Sequence, residues 1–204
     1  MNLKLHSVSI ALCALVALAL IASPAEAKKE IKNWPCKSAL TDDIPASVIW
    51  NPAPKLDPSW EEDEGVRKIV QYAIDPANPP SEGKDAIAEY AATLGADKDK
   101  RLVQVFTGLL AETNVFHTIV ISGIRNFIIK AKILADVVAE NDAEINDPNT
   151  SAQRKKDVEV ARASNFHDMD DAEEEAEFLC HRYDYVEKKL GLLTDQLRAE
   201  MTKK

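Results

Sequence analysis

"MDDAEEEAEFLCHRYDYVEKKLGLLTDQL", residues 169–197, decides the fold. Met169, Ala172, Ala176, Leu179, Tyr183, Val186, Leu190, Leu193 and Leu197 recur in alternating steps of three and four. That spacing is the seam of a helix packed lengthwise on another helix, with mostly charged residues on its other faces. It predicts a helix from about Ser151 to Met201. Traced backwards, the same phase meets Asn165, Arg162 and Lys155, so the apolar seam stops before about Phe166. Either a break near Ser164–Asn165 or a polar helix tip beyond the bundle is expected there.

The partner helix lies just upstream, from about Asp97 to Ile145. Leu102, Phe106, Leu109, Thr113, Phe116, Val120, Gly123, Phe127, Ala131, Leu134 and Val138 recur in the same steps of four and three, with two fours in succession at Gly123–Phe127–Ala131. Val103, Leu110, Ile121, Ile124 and Ile128 widen the face, so its middle is expected to be deeply buried. Gly108 and Gly123 each cost up to about 1 kcal/mol in a helix interior. Close packing of a neighbour is the expected reason for them. "NDPNTSAQ" joins the two helices, with Thr150 to Gln153 as a capping box. Folding the pair about Pro148 brings Phe127 level with Met169 and Leu102 near Leu193, within about a turn. The same register sets Cys180 level with Phe116.

Two shorter helices precede the pair. One starts at Asp57 or Ser59, with Pro58 at the first position, and carries Val66, Ile69, Val70, Ala73 and Ile74 on one stripe. The other opens at Ser81 and stops at Gly95. Residues 28–58 hold prolines at 35, 45, 52, 54 and 58, which fix φ and withhold backbone donors. They are expected to form an extended Pro-rich arm whose Trp34, Ile44, Val48, Ile49, Trp50 and Leu56 anchor it along the bundle. No stretch reads as a strand. The expected class is all-α: an elongated bundle of about four helices, residues 59–204, two of them long and paired as an antiparallel hairpin.

Residues 1–27, "MNLKLHSVSIALCALVALALIASPAEA", read as a bacterial-type signal peptide. Lys4 precedes an apolar run from about Val8 to Ala22, and Ala25-Glu26-Ala27 is a cleavage pattern. The run is shorter than the roughly 20 residues a spanning helix needs. Cys13 sits inside it and follows Leu12, which argues against lipid attachment. The net charge of −9 is unchanged by cleavage, because Lys4 and Glu26 cancel. That acidity argues against nucleic acid and anionic lipid as partners. The expectation is a secreted, periplasmic protein with no membrane span after processing. Removing Cys13 leaves Cys36 and Cys180, an even pair in an oxidising compartment, expected to form a disulfide bond between arm and last helix. Two buried free thiols are the alternative. With no C-x-x-C, a redox or haem-attachment motif is excluded.

Chemistry-bearing clusters are few. Glu112 and His117 on the third helix fall level with the region of Glu177 and His181 on the fourth, and these four are the candidate metal ligands. The paired E-x-x-H motifs of di-metal bundles are absent. Glu177 to His181 is i, i+4 and Glu112 to His117 is i, i+5, so the plainer readings are a solvent-facing ion pair and a core-rim histidine. His167, Asp170 and Asp171 share another face, without the glycine or ligand spacing of a calcium loop. Asn114, Thr118, Ser122 and Arg125 form a polar stripe on the third helix. No nucleophile, phosphate-loop or zinc-protease motif appears, so no catalytic residue and no cofactor is predicted. The expected function is non-catalytic: binding another periplasmic protein through the bundle surface or polar tip, mainly as a monomer. A small-ligand or metal-binding bundle, with a divalent ion, is the alternative, and an enzyme of unknown class the remote one. Protein recovered from the cell envelope is expected to begin at Lys28 by intact-mass measurement. A mass retaining residues 1–27, or a lipid on Cys13, is the contrary outcome.

Overall fold

The computed structural model describes residues 35–37, 41 and 43–202. The expected leader, and residues 28–34 of the expected arm, lie outside the described residues. The chain is an all-α bundle with the element order α1 (Ala46–Ile49), a 3-10 turn (Pro58–Glu61), α2 (Glu64–Ile74), α3 (Pro80–Thr93), α4 (Lys98–Asn146) and α5 (Ala152–Thr202). Helices α4 and α5 pack against each other, and α2, α3 and the arm are laid on one half of that pair. Among the described residues no helix is long and apolar enough to cross a membrane.

Among the described residues, five helices stand where about four are expected. The extra one is a single turn inside the arm, and it forms because prolines flank it without entering it. Pro45 is its N-cap, with φ −66° already set for the turn that follows. The first of the expected short helices is also divided. Asp57 accepts from Ser59 N at 3.0 Å and starts the 3-10 turn, then Asp63 accepts from Gly65 N and Val66 N at 3.0 and 3.1 Å and starts α2 anew. A second capping carboxylate six residues on thus interrupts what reads as one helix. The second short helix opens at Pro80, one residue before Ser81, and its C-cap is Leu94 rather than Gly95.

The long helices fall within a residue of the predicted bounds. Ser151, not Thr150, caps α5, its Oγ accepting from Arg154 N at 3.3 Å. Of the two readings for the end of the apolar seam, the break near Ser164–Asn165 does not form, because α5 is continuous from 152 to 202. The seam phase carries on to Val158, which is 2 % exposed. Between Val158 and the apolar seam, the in-phase Arg162 bonds Asp142 of α4. Nearer the turn, Arg154 grips Glu144 in two bonds of 2.6 and 3.0 Å. Polar residues on the seam therefore meet polar residues opposite. The register is one turn beyond that expected from Pro148: the His117 ring lies over Tyr183 rather than level with Leu179.

Three glycines set how closely the elements approach, among them Gly123 of α4, where a Cβ would stand 2.8 Å from Leu179 of α5. A Cβ on Gly108 would stand 2.7 Å from both Trp60 and Val70, so only glycine admits the 3-10 turn and α2 against α4. A Cβ on Gly83 would stand 2.8 Å from Leu193, placing α3 against α5. The core on this half is largely aliphatic, with Val66, Val70, Ile87, Leu102, Leu190, Leu193 and Leu197 buried together around Phe106 and Trp60. Lys189, 1 % exposed, sends its ammonium to Asp75 O and Asn78 O at 2.7 and 2.8 Å, capping the C-terminal end of α2. Burial lowers its pKa, and Asp75 partly offsets that.

The seam positions are not equally deep. Leu190 is wholly buried, whereas Phe116 and Leu179 are half-buried. Phe116 lies under the Arg182 guanidinium, 5.4 Å from its ring centre. Leu190→Asp should unfold the chain by circular dichroism, since it buries a charge with no partner. Phe116→Asp should keep the helical spectrum and shift the urea midpoint less, because the new carboxylate reaches water and Arg182.

Candidate functional site

The described residues of the arm are held by side chains of both α4 and α5. Asn114 of α4 takes both backbone groups of Ile44, its Oδ1 accepting from the N–H at 2.9 Å and its Nδ2 donating to the C=O at 3.4 Å. Thr107 accepts from Asp57 N at 3.0 Å, and Gln104 donates to Ser59 Oγ at 2.9 Å. On α5, Tyr183 Oη lies 3.2 Å from Thr41 Oγ1. Cys36 and Cys180 stand at disulfide distance with Cα atoms 5.1 Å apart, inside the range such a bond allows. Trp50 meets Phe106 edge-on at 4.9 Å and ties the arm to the aliphatic core.

Beside these arm residues lies a buried polar cluster. His117 of α4 and Tyr183 of α5 are both wholly buried, their rings stacked 3.9 Å apart and 16° from parallel. His117 Nε2 is 3.7 Å from Glu187 Oε1, and neither ring nitrogen has a hydrogen-bond partner among the described residues. Thr113, one turn earlier on the same face, is buried with its hydroxyl likewise unpartnered. Val120, Ile121 and Ile124 wall the cluster beside the cysteine pair. Burial drives the His117 pKa down to about 4, against the attraction of Asp43 in the arm. Burial also raises Glu187, helped by Asp184, and raises Tyr183 against its bond to Thr41. A neutral imidazole between a carboxylate and a phenol is thus the resting state at neutral pH.

The four candidate metal ligands are not brought together. His181 and Glu177 pair with each other at 3.9 Å, each 76 % exposed, while His117 is fully enclosed. Among the described residues no three His, Cys, Asp or Glu side chains are grouped to hold an ion. Helix phase explains the mismatch. Glu177 and His181 lie two residues either side of the seam position Leu179 and face solvent, whereas Glu187, one turn past Tyr183, faces His117. His167 pairs with Asp171 at 3.3 Å on the outer face. Of the polar stripe, Asn114 anchors the arm and exposed Thr118 bonds back to Asn114 O at 3.1 Å. Sequence reading missed Glu187, Thr41, Asp43 and Lys189. Only a correct register would have singled out Glu187, as a carboxylate beside the seam and opposite a histidine. Elsewhere, an open depression of about 510 Å³ is lined by Lys55, Asp57, Asp99 and Lys100, whose charges balance.

Compared with known proteins, the chain matches no family model, no curated protein and no solved structure.

The His117 environment makes stability pH-dependent in one direction. Between pH 6.5 and about 4 the unfolded chain protonates this residue and the folded chain does not. Its stabilising contribution is therefore complete above 6.5 and is lost as pH falls towards 4, up to about 3 kcal/mol. His117→Phe retains the ring stack and removes that proton. Urea midpoints across the window should fall more steeply for the natural chain than for the variant.

Proposed function

We propose that the protein is a non-catalytic exported helical protein that binds another periplasmic protein, and that it does so through the outer face of α4. One observation carries this reading. Val115, Ile119, Ile129 and Ile133 are each more than half exposed, at 58, 64, 57 and 57 %. With exposed Ser122 and Asn126 they alternate in steps of four and three, the spacing of a helix-packing seam on the side turned away from α5. Four β-branched side chains in a row about 27 Å long resemble a docking surface more than the scattered apolar residues of an ordinary exterior.

The row suits an amphipathic helix of about five turns supplied by the partner. Gly108 lies two turns before Val115 on the same face of α4, and Trp60 and Val70 cover it, so the row ends on a step. A second copy paired antiparallel over the row would bring its own Trp60 and Val70 onto α4 near residue 140. A different protein with a bare helix fits without that collision. Ser122 and Asn126 at the middle favour one register over its neighbours. The net charge of −9 favours a partner with basic flanks and speeds its encounter.

The test places a photo-crosslinking residue at Ile119 or Ile129 of the full chain in living cells. Both positions should trap the same single protein, and Ile133→Asp should abolish the adduct while leaving the circular dichroism spectrum unchanged. The same probe at Glu174, on the outer face of α5, should trap nothing specific. A ladder of unrelated adducts, a second copy of this chain alone, or no adduct would each overturn the reading.

A further inference from the structure

The α2–α3 hairpin fills the groove between α4 and α5 on one half of the long pair. Asp63 at the start of α2 pairs with Arg101 of α4, Val70 lies against Gly108, and Gly83 of α3 meets Leu193 of α5. The hairpin ends at its 75–78 turn, whose carbonyls hold Lys189. One turn past Lys189 the α5 side is bare again, at Tyr185, which is 40 % exposed. With His117 over Tyr183 in an antiparallel pair, Tyr185 comes level with exposed Val115. From that level onward the groove has Val115, Phe116 and Ile119 on its α4 wall and Tyr185, Arg182 and Phe178 on its α5 wall. The Arg182 guanidinium joins the two walls, 5.4 Å from the Phe116 ring centre and 6.0 Å from that of Phe178. The apolar row of α4 is thus continued across Arg182 to Phe178, itself 55 % exposed.

Arg182 is a cation without an acid. The residues three and four places either way on α5 are Phe178, Leu179, Tyr185 and Val186, so its own helix supplies no carboxylate at pairing distance. Among the described residues its contacts are the two rings and no ion pair. Glu174, Glu175, Glu177 and Asp184 surround it in the sequence, which leaves it an isolated positive charge on an acidic stretch. A guanidinium stacked on rings keeps its N–H edge for a planar carboxylate, and it is already oriented before a ligand arrives.

We propose that this groove seats one helix of the partner, in line with α2, and that Arg182 sets its register by taking an Asp or Glu carboxylate from it. The proposal rests on the docking reading of the α4 face and names the chemistry of what docks there. Gly108 and Val115 are seven residues apart on one stripe of α4, so a helix on the row follows the line that α2 takes over Gly108. Basic flanks on that helix suit the rest of the acidic surface, and a single acid among them has one place to go. A slip of one turn would set it against Phe178 or Tyr185, where no cation meets it, and would leave Arg182 unpaired. The contact ends at Phe178, because Glu174, one turn on, is rotated about 40° further from α4.

The test uses the full chain in living cells with a benzophenone side chain in place of Phe178, which keeps a ring beside Arg182. This position should trap the same protein as the probe at Ile119, and peptide mapping should place the attachment within a turn of an Asp or Glu of the partner helix. With the probe at Ile129, Arg182→Gln should lower the adduct yield about tenfold and Arg182→Glu further, with circular dichroism unchanged. Arg182→Lys should lose less, since it keeps the charge without the planar edge. Capture at Ile119 with none at Phe178 would overturn this proposal and leave the docking reading in place. A yield unchanged by Arg182→Glu, or an attachment far from any carboxylate, would do the same. A second copy of this chain trapped at Phe178 would overturn it too. No adduct at Ile119 or Ile129 would remove the docking reading, and this proposal with it.

Discussion

The α4–α5 seam is the constraint on which everything else rests. Helices of 49 and 51 residues bury a shared stripe along their length, and neither stripe has another surface to meet. The remaining helices are 4, 11 and 14 residues long, too short to persist in water without a surface to lie on. They take their places where the long pair permits close approach, at Gly108 on α4 and opposite Gly83 on α5. The seam also fixes register, and register decides which side chains share a level. His117 faces Tyr183 and Glu187 for that reason alone.

Chemistry changes along the seam. At one end it is aliphatic and closed over by α2 and α3. At mid-length it becomes aromatic and polar, with Thr41 and Ile44 of the arm and the cysteine pair beside it. Towards the 147–151 turn it is carried by Arg162 to Asp142 and Arg154 to Glu144, ion pairs with exposed partners. Exposed pairs contribute roughly 0–1 kcal/mol each, so the packing free energy is concentrated at the aliphatic end. The outer face of α4 is bare along the middle stretch, where the inner face is most polar.

The long elements were legible because their signal is redundant. Nine seam residues on α5 agree in phase, and an error at any one of them changes nothing. The extra turn at Ala46–Ile49 and the division at Asp63 were not legible, because each rests on one or two residues whose effect depends on neighbours in space. Gly108 was legible as a close approach, though not as a contact with Trp60. The polar cluster shows the limit most clearly. His117 lies on a face that periodicity marks, but an antiparallel pair folded about Pro148 fixes the level of opposing residues only to within a turn, which is too coarse to single out Glu187. Asn114 reads as part of an exposed stripe because its partner is backbone, which sequence periodicity does not encode.

Lys189 has a consequence for how the molecule comes apart. Its ammonium is satisfied by two carbonyls of the 75–78 turn and by almost no water. If that turn lifts while α5 stays in place, a cation is stranded against the aliphatic core, and two carbonyls lose their donor. Solvent reaches the ammonium only when α5 moves as well. The α2–α3 hairpin therefore does not behave as a cover that can be peeled from the long pair. Its departure and the loosening of α5 are one event, tied together by a charge that neither can leave behind.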